Sequence, residues 1–283
     1  MKQLILLLLI ITITSHIQTA ASQNMSLAKS IDTTHHSVVA ILRVDSTGKA
    51  CVSASGVLIH PQVVLTAGHV NFMVASSWPG GAATQGFVSL ANNARSPHNR
   101  VPFDWMKDVE SHPDTADFMN SFSDTSGRKN PFMFIDVGLL FLQHPVDNRP
   151  IARLPEPNAL VNKESDDLLV GAGFGYYKRT DSTFVPDSVD GMRRQWRLHN
   201  ISLLNDLWLS TKCDTVTNLP FMSMFDSGGP LFLGDDVVVG VWSCMGKATK
   251  PCAYSSCAVR IDNLRVLKWI KDRIKERLGV DLN

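Results

Sequence analysis

Asp226-Ser227-Gly228-Gly229-Pro230, followed at once by Leu231-Phe232-Leu233, is the stretch that decides how this chain is read. A serine hydroxyl is a poor nucleophile until a base takes its proton, so a reactive serine has to stand on a turn beside a histidine. The flanking glycines permit a tight turn and leave room for a substrate backbone. The apolar run that follows reads as the strand that carries the turn. A Ser-Gly-Gly connection between strands is common by itself; all five residues leading straight into a strand are not.

Two segments upstream supply what such a serine needs. Val64-Leu65-Thr66-Ala67-Gly68-His69 is a buried strand that ends in small residues and then a histidine. Imidazole titrates near neutral pH, which suits it to accept the serine proton and return it to a leaving group. The chain has nine histidines, and this context singles out His69. In Phe134-Ile135-Asp136-Val137-Gly138-Leu139-Leu140-Phe141-Leu142, one carboxylate heads a run apolar enough to be buried. A buried Asp is costly without a partner, and a histidine N–H is such a partner. Asp136 would then fix the imidazole tautomer and stabilise the imidazolium.

The 283 residues, 44% hydrophobic and 19% charged, suffice for a large core, as one big domain or two modest ones. A formal net charge of +1 gives no field that would draw the chain to nucleic acid or to a membrane. Met1-Lys2, the apolar run from Leu4 to Ile13 and Thr19-Ala20-Ala21 read as a secretory signal peptide over residues 1–21. A bilayer span takes about 20 apolar residues, more than this run has. The mature protein is therefore expected outside the cytoplasm, extracellular or periplasmic. There the five cysteines become candidate disulfides: Cys213, Cys244, Cys252 and Cys257 suggest one or two local bridges, with Cys51 spare. Their spacing lacks paired C-x-x-C units, so structural zinc is the weaker reading, and no metal or cofactor is expected. Asn24-Met25-Ser26 and Asn200-Ile201-Ser202 would be glycosylation acceptors in a eukaryotic source.

Short apolar or alternating runs separated by Gly, Pro, Asn and Asp predict an all-β chain. Strands are expected at 38–44, 54–59, 63–67, 137–142, 168–172, 195–203, 230–233, 237–243 and 258–261. Residues 79–130, rich in Gly, Asn, Ser, Asp and Pro, read as long surface loops outside the core. A proline-bearing linker over 149–165 separates an N-terminal half, 22–148, from a C-terminal half, 166–262. Leu264, Leu267, Ile270, Ile274 and Leu278 recur at helical spacing, so 263–283 is expected to dock as an amphipathic helix. His35-His36 read as surface residues rather than a metal site.

The three segments together resemble the triad segments of the trypsin/chymotrypsin family, in that family's order of His, Asp, Ser. Ser55-Gly56-Val57-Leu58-Ile59 is similar to the strand before the histidine segment. Gly171-Ala172-Gly173-Phe174-Gly175 is similar to the Gly-aromatic-Gly segment that opens the second barrel, and the strand 237–243 and the terminal helix also match. The resemblance implies two antiparallel six-stranded β-barrels, with His69, Asp136 and Ser227 as catalytic triad in the crevice between them. It implies a serine endopeptidase working through an acyl-enzyme on a protein or peptide substrate, and leaves the oligomeric state open.

The chain also departs from that family. Two before the nucleophile, where the family has the glycine whose N–H joins that of the serine in the oxyanion hole, stands Phe225. The family's activating Ile-Val-Gly-Gly terminus, whose ammonium pairs with the aspartate before the nucleophile, here Asp226, has no counterpart. Ala54 and Val70 replace the cysteines that bracket the histidine, and Ser223 replaces the one near the nucleophile. The floor of the specificity pocket would be Phe221, near Met222 and Met224, with walls at Ser243, Cys244, Met245 and Ser256. That lining is against cleavage after Lys or Arg and favours an apolar or small side chain. The alternatives are a weak or inactive homologue that binds a partner in the cleft, and an esterase on the same site.

Overall fold

In the computed structural model the residues described are 30–45, 47–71, 85–122, 130–161, 169–175, 177–179, 184–186, 191–198, 201–211, 222–247 and 254–282. The β-branched and leucine-rich runs form strands: β1 (Ser30–Ile31), β2 (Val38–Val44), β3 (Ala50–His60), β4 (Val63–Thr66), β5 (Gln85–Ser89), β6 (Arg100–Asp104) and β7 (Val109–Ser111). A short helix, α1 (Thr115–Phe122), precedes β8 (Gly138–Phe141) and β9 (Leu169–Gly173). Then come β10 (Tyr177–Arg179), β11 (Phe184–Pro186), β12 (Arg194–Leu198), β13 (Ile201–Leu203) and β14 (Trp208–Thr211). The chain closes with β15 (Pro230–Leu233), β16 (Val237–Lys247), β17 (Tyr254–Arg260) and the helix α2 (Leu264–Leu278).

The ladders build two curled antiparallel sheets. One runs β6-β5-β2-β3-β4-β8-β7, the other β1-β12-β9-β15-β16-β17-β14-β13, and β10-β11 is a separate hairpin. The all-β, two-barrel expectation with a terminal helix stands, with seven and eight strands in the sheets instead of six. Register places the chemistry. Thr66 pairs with Gly138 at the end of the β4–β8 ladder, so the residues just beyond, His69 and Asp136, emerge side by side. Pro230 pairs with Val241 at the start of the β15–β16 ladder, which sets the turn carrying Ser227 beside Ser243.

Buried aromatics join the sheets. Trp208 on β14 is fully buried, stacks on Phe118 of α1 at 5.5 Å between ring centres and meets Phe132 edge-on. Its indole N–H donates to the Phe134 carbonyl at 3.0 Å, two residues before Asp136. Helix α2 follows the second sheet in sequence and reaches across to the first. Its stripe of Val266, Leu267, Ile270 and Ile274 is buried, Trp269 packs edge-on against His112, and Arg273 donates to Glu110 at 2.7 Å. Asn263 caps its start and Gly279, at φ +71°, ends it in the left-handed conformation that glycine adopts without strain.

Several expectations need correction. Residues 79–130 do not only decorate: β5, β6 and β7 lie there and belong to the first sheet, while α1 packs under Trp208. Their strands are short, carry Pro102 and flank polar turns, so period-2 alternation never runs long enough to stand out. The single strand expected over 195–203 is two, β12 and β13. The first strand is Ser30–Ile31, earlier than expected. His35 is not a surface residue: its ring stacks on Phe232 at 4.8 Å and its Nδ1 lies 3.1 Å from Asp32. The signal segment and both glycosylation acceptors, Asn24 and Asn200, lie outside the described residues.

The entering chain is tied down by one buried ion pair. Asp32 and Arg193 are both fully buried; Arg193 Nε donates to Asp32 Oδ2 at 3.0 Å, and the Asp32 N–H donates to the Arg193 carbonyl. Burial by itself would raise the Asp32 carboxyl. Hydrogen bonds from His35 and from the Thr34 and His35 amides outweigh it and hold the group well below its ordinary 3.8. A carboxyl depressed in the folded state binds fewer protons there than when unfolded. Its stabilisation is therefore present above pH 3.8 and is lost as the pH falls through the folded value. Arg193→Ala removes the buried cation of this pair and should cost about 3–5 kcal/mol, read as a lowered urea midpoint at neutral pH. The deficit should shrink in acid, where Asp32 becomes protonated.

Candidate active site

His69 lies three residues past the end of β4, and Asp136 lies two residues ahead of β8. The His69 backbone N–H donates to Asp136 Oδ1 at 2.7 Å, and His69 Nδ1 lies 2.6 Å from Asp136 Oδ2. Ser243, from β16 of the other sheet, donates its hydroxyl to the same Oδ2 at 2.5 Å. Asp136 is fully buried and His69 nearly so, with the Phe118 ring 6.5 Å from the imidazole. Burial would lower the imidazole's pKa, yet the charge of Asp136 and its hydrogen bond prevail and raise it above 6.5. An Nδ1–H given to Asp136 leaves Nε2 as the acceptor, the tautomer that general-base work requires.

The serine turn is pressed onto the strands that lead to this pair. The Ser227 carbonyl accepts from the Ser55 N–H at 2.9 Å, and the Gly228 N–H donates to the Trp242 carbonyl at 2.7 Å. Gly228 sits at φ +83°, and a Cβ there would lie 2.0 Å from Thr66 Oγ1 and 2.3 Å from the Ser55 carbonyl. Both the sign of φ and the close approach demand glycine.

Phe225 occupies φ +75°. The other non-glycine residues at positive φ among those described are Asn99, Asn148 and Asn158, of a type that tolerates it; a phenylalanine there costs about 1–3 kcal/mol. A Cβ on Gly175 would lie 2.4 Å from the Met224 carbonyl oxygen, so that oxygen sits close against Gly175. In a trans peptide the N–H lies on the side opposite to the C=O. The Ser55 hydroxyl donates to the Phe225 carbonyl at 2.7 Å and itself accepts from the Phe174 N–H at 2.9 Å. Asp226 is fully buried. Its Oδ1 accepts from the Gly175 N–H, and its Oδ2 from the Ser223 N–H and hydroxyl, each at 2.8 Å.

Of the expected pocket residues, Met222 is buried in a cluster with Trp196, Leu231, Trp242 and Ala258, and its N–H donates to the buried Ser256 hydroxyl at 2.9 Å. Met224 is exposed, and Met245 lies on β16. Phe221 lies outside the described residues. Cys244 on β16 and Cys257 on β17 are cross-strand partners whose thiols hydrogen-bond. That bond, burial and the charges of Cys257 and Asp136 push the Cys244 thiol well up. Cys244 and Cys51 are in no disulfide among the described residues, while Cys213 and Cys252 lie outside them. No metal-holding cluster of His, Cys, Asp and Glu occurs among the described residues. The sequence does not reveal the buried hydroxyls of Ser55 and Ser223 as hydrogen-bonding groups, nor Phe118 and Trp208; Ser55 stands there only as part of a strand motif and Ser223 only as the residue in place of a cysteine.

No protein-family model matches this sequence. No curated protein matches it either. Solved structures do. HL collagenase superposes with a TM-score of 0.57 at 17% identity, covering 89% of this chain and 98% of its own. Human heparin binding protein gives 0.57 at 18%, covering 89% and 97%. The scabies mite inactivated protease paralogue S-I1 gives 0.58 at 16%, covering 88% and 100%. The chain has a chymotrypsin-like fold. In a chymotrypsin-like fold the two sheets meet at a cleft, and here the Asp136 carboxylate, bonded from both sheets, marks that seam.

Asp136→Asn removes the charge that raises the imidazole and leaves burial in command. The His69 titration followed by its Cε1–H NMR signal should then fall below 6.5, whereas Ser227→Ala should leave it raised. Gly228→Ala should destabilise the fold by several kcal/mol, seen as a lowered melting temperature, because Thr66 and Ser55 occupy the added methyl's space.

Proposed function

We propose that this chain is a secreted serine endopeptidase that hydrolyses peptide bonds with Ser227 as nucleophile, His69 as base and then acid, and Asp136 as the group that orients His69. The observation that carries the reading is the buried His69–Asp136 pair, with Nδ1 engaged at 2.6 Å and the backbone N–H of His69 held by the same carboxylate. Nε2 then takes the Ser227 proton as the hydroxyl oxygen attacks the scissile carbonyl and hands it to the leaving amine; water, activated the same way, hydrolyses the acyl-enzyme. The tetrahedral oxyanion is received by the N–H groups of Phe225 and Ser227, and the φ of Phe225 supports the first of these. Phe221, Met222, Met224, Ser243, Cys244, Met245 and Ser256 form the substrate pocket and favour an apolar or small side chain. Residues 1–21 act as the secretory leader, with the cleft between halves 22–148 and 166–262. A bridge from Cys213 to Cys252 is part of the same proposal, since Cys244 shares a thiol hydrogen bond with Cys257.

A second reading, a homologue that binds a peptide without cleaving it, is favoured by the bulky Phe225 at a strained position and by the likeness to an inactivated protease paralogue. A fluorophosphonate probe separates the two. Wild type should be labelled and Ser227→Ala should not; a folded wild type that stays unlabelled belongs to the second reading. Neutral His69 is the active form, so kcat/KM should climb with pH through a single ionisation above 6.5, the direction set by Asp136. Asp136→Asn should lower kcat by about 10⁴ through the wrong tautomer.

A further inference from the structure

Phe225 poses a question that its neighbours answer. A non-glycine residue at φ +75° relaxes unless its surroundings over-determine it. Rotation of the peptide between Met224 and Phe225 would return φ to the negative side and turn the Phe225 N–H toward Gly175. Three contacts oppose that. The Ser55 hydroxyl, fully buried on β3, donates to the Phe225 carbonyl at 2.7 Å and fixes the following peptide. The absence of a side chain on Gly175 leaves the Met224 carbonyl its place. Ser223, through its N–H and hydroxyl, holds Oδ2 of Asp226, and the Gly175 N–H holds Oδ1, all at 2.8 Å. Buried carboxylates need such donors, and bonds to an ionised acceptor are the strong ones.

We propose that Ser55 and Ser223 are positioning residues that clamp residues 223–227 in the conformation with the Phe225 N–H available to the oxyanion, so that the turn is set by the chain's own hydroxyls and needs no newly cut amino terminus. The clamp ties the serine turn of the second sheet to β3 of the first, and neither hydroxyl touches the substrate. It rests on the serine hydrolase reading above. It adds that the site is competent as folded and that Phe225 is tolerated only because Ser55 is present.

The test compares turnover of a peptide ester and a peptide amide by full-length wild type, Ser55→Ala, Ser223→Ala, Phe225→Gly and the double variant Ser55→Ala/Phe225→Gly. Ser227→Ala serves as control, and folding is checked by circular dichroism. Ser55→Ala and Ser223→Ala should each lower kcat by about 10- to 100-fold with KM nearly unchanged, as expected for weakening one oxyanion donor. Phe225→Gly, which takes positive φ freely, should restore most of the kcat lost in Ser55→Ala. A general loss of structure would not be rescued in this way. Selective acetylation of the α-amino group should leave kcat within twofold. The clamp is overturned if Ser55→Ala keeps full kcat, if glycine gives no rescue, or if acetylation costs tenfold or more; in each case the Ser227-dependent reading stands. Absence of Ser227-dependent turnover in folded wild type overturns that reading, and the clamp with it.

Discussion

A fully buried carboxylate has to be satisfied by hydrogen bonds, and among the described residues Asp136 draws its donors from both sheets. Two come from His69 and one from Ser243. The two sheets must meet within a few tenths of an ångström for this group to be tolerated at all, because an ion left short of donors in that place would cost several kcal/mol. The packing of Trp208 over Phe118 and Phe132, and its bond to the Phe134 carbonyl, hold the segment leading to Asp136 in register. Positioning for chemistry and cohesion between the sheets are thus one requirement met by one set of contacts.

Much of this was legible in the sequence. Asp136 announces itself as a single charge at the head of a long apolar run, His69 as the polar end of a buried strand, and the serine turn by its glycines. Such signals are local, and local pattern survives translation into structure when burial is one-sided or complete. The fold class and the terminal helix, with its 3.6-residue stripe, were readable for the same reason. Less visible was anything set by long-range pairing. The strands within residues 79–130 hold their place through partners in β2 and β8, and their own composition speaks for loops. Asp32 and Arg193, separated by 161 residues, give no sign of each other in the sequence.

Phe225 shows how a departure from a family pattern is to be weighed. Read alone, a phenylalanine where glycine is usual argues against a positive φ. The structure keeps that φ and surrounds it with contacts from Ser55 and Gly175. Ser223, which stands where a cysteine was expected, supplies two of the bonds to Asp226. Substitutions that look like separate losses in the sequence are neighbours in space.

The helix α2 belongs by sequence to the second sheet and is buried against the first, with Trp269 on His112 and Arg273 on Glu110. The described chain therefore starts on the second sheet, where β1 pairs with β12, and ends with α2 packed on the first, so the first half cannot open without peeling this helix away. Partial openings that release one sheet are suppressed and unfolding becomes a single cooperative event. Susceptibility to proteolysis then follows the rare global opening rather than local fraying, and lifetime is governed by how firmly this helix stays docked.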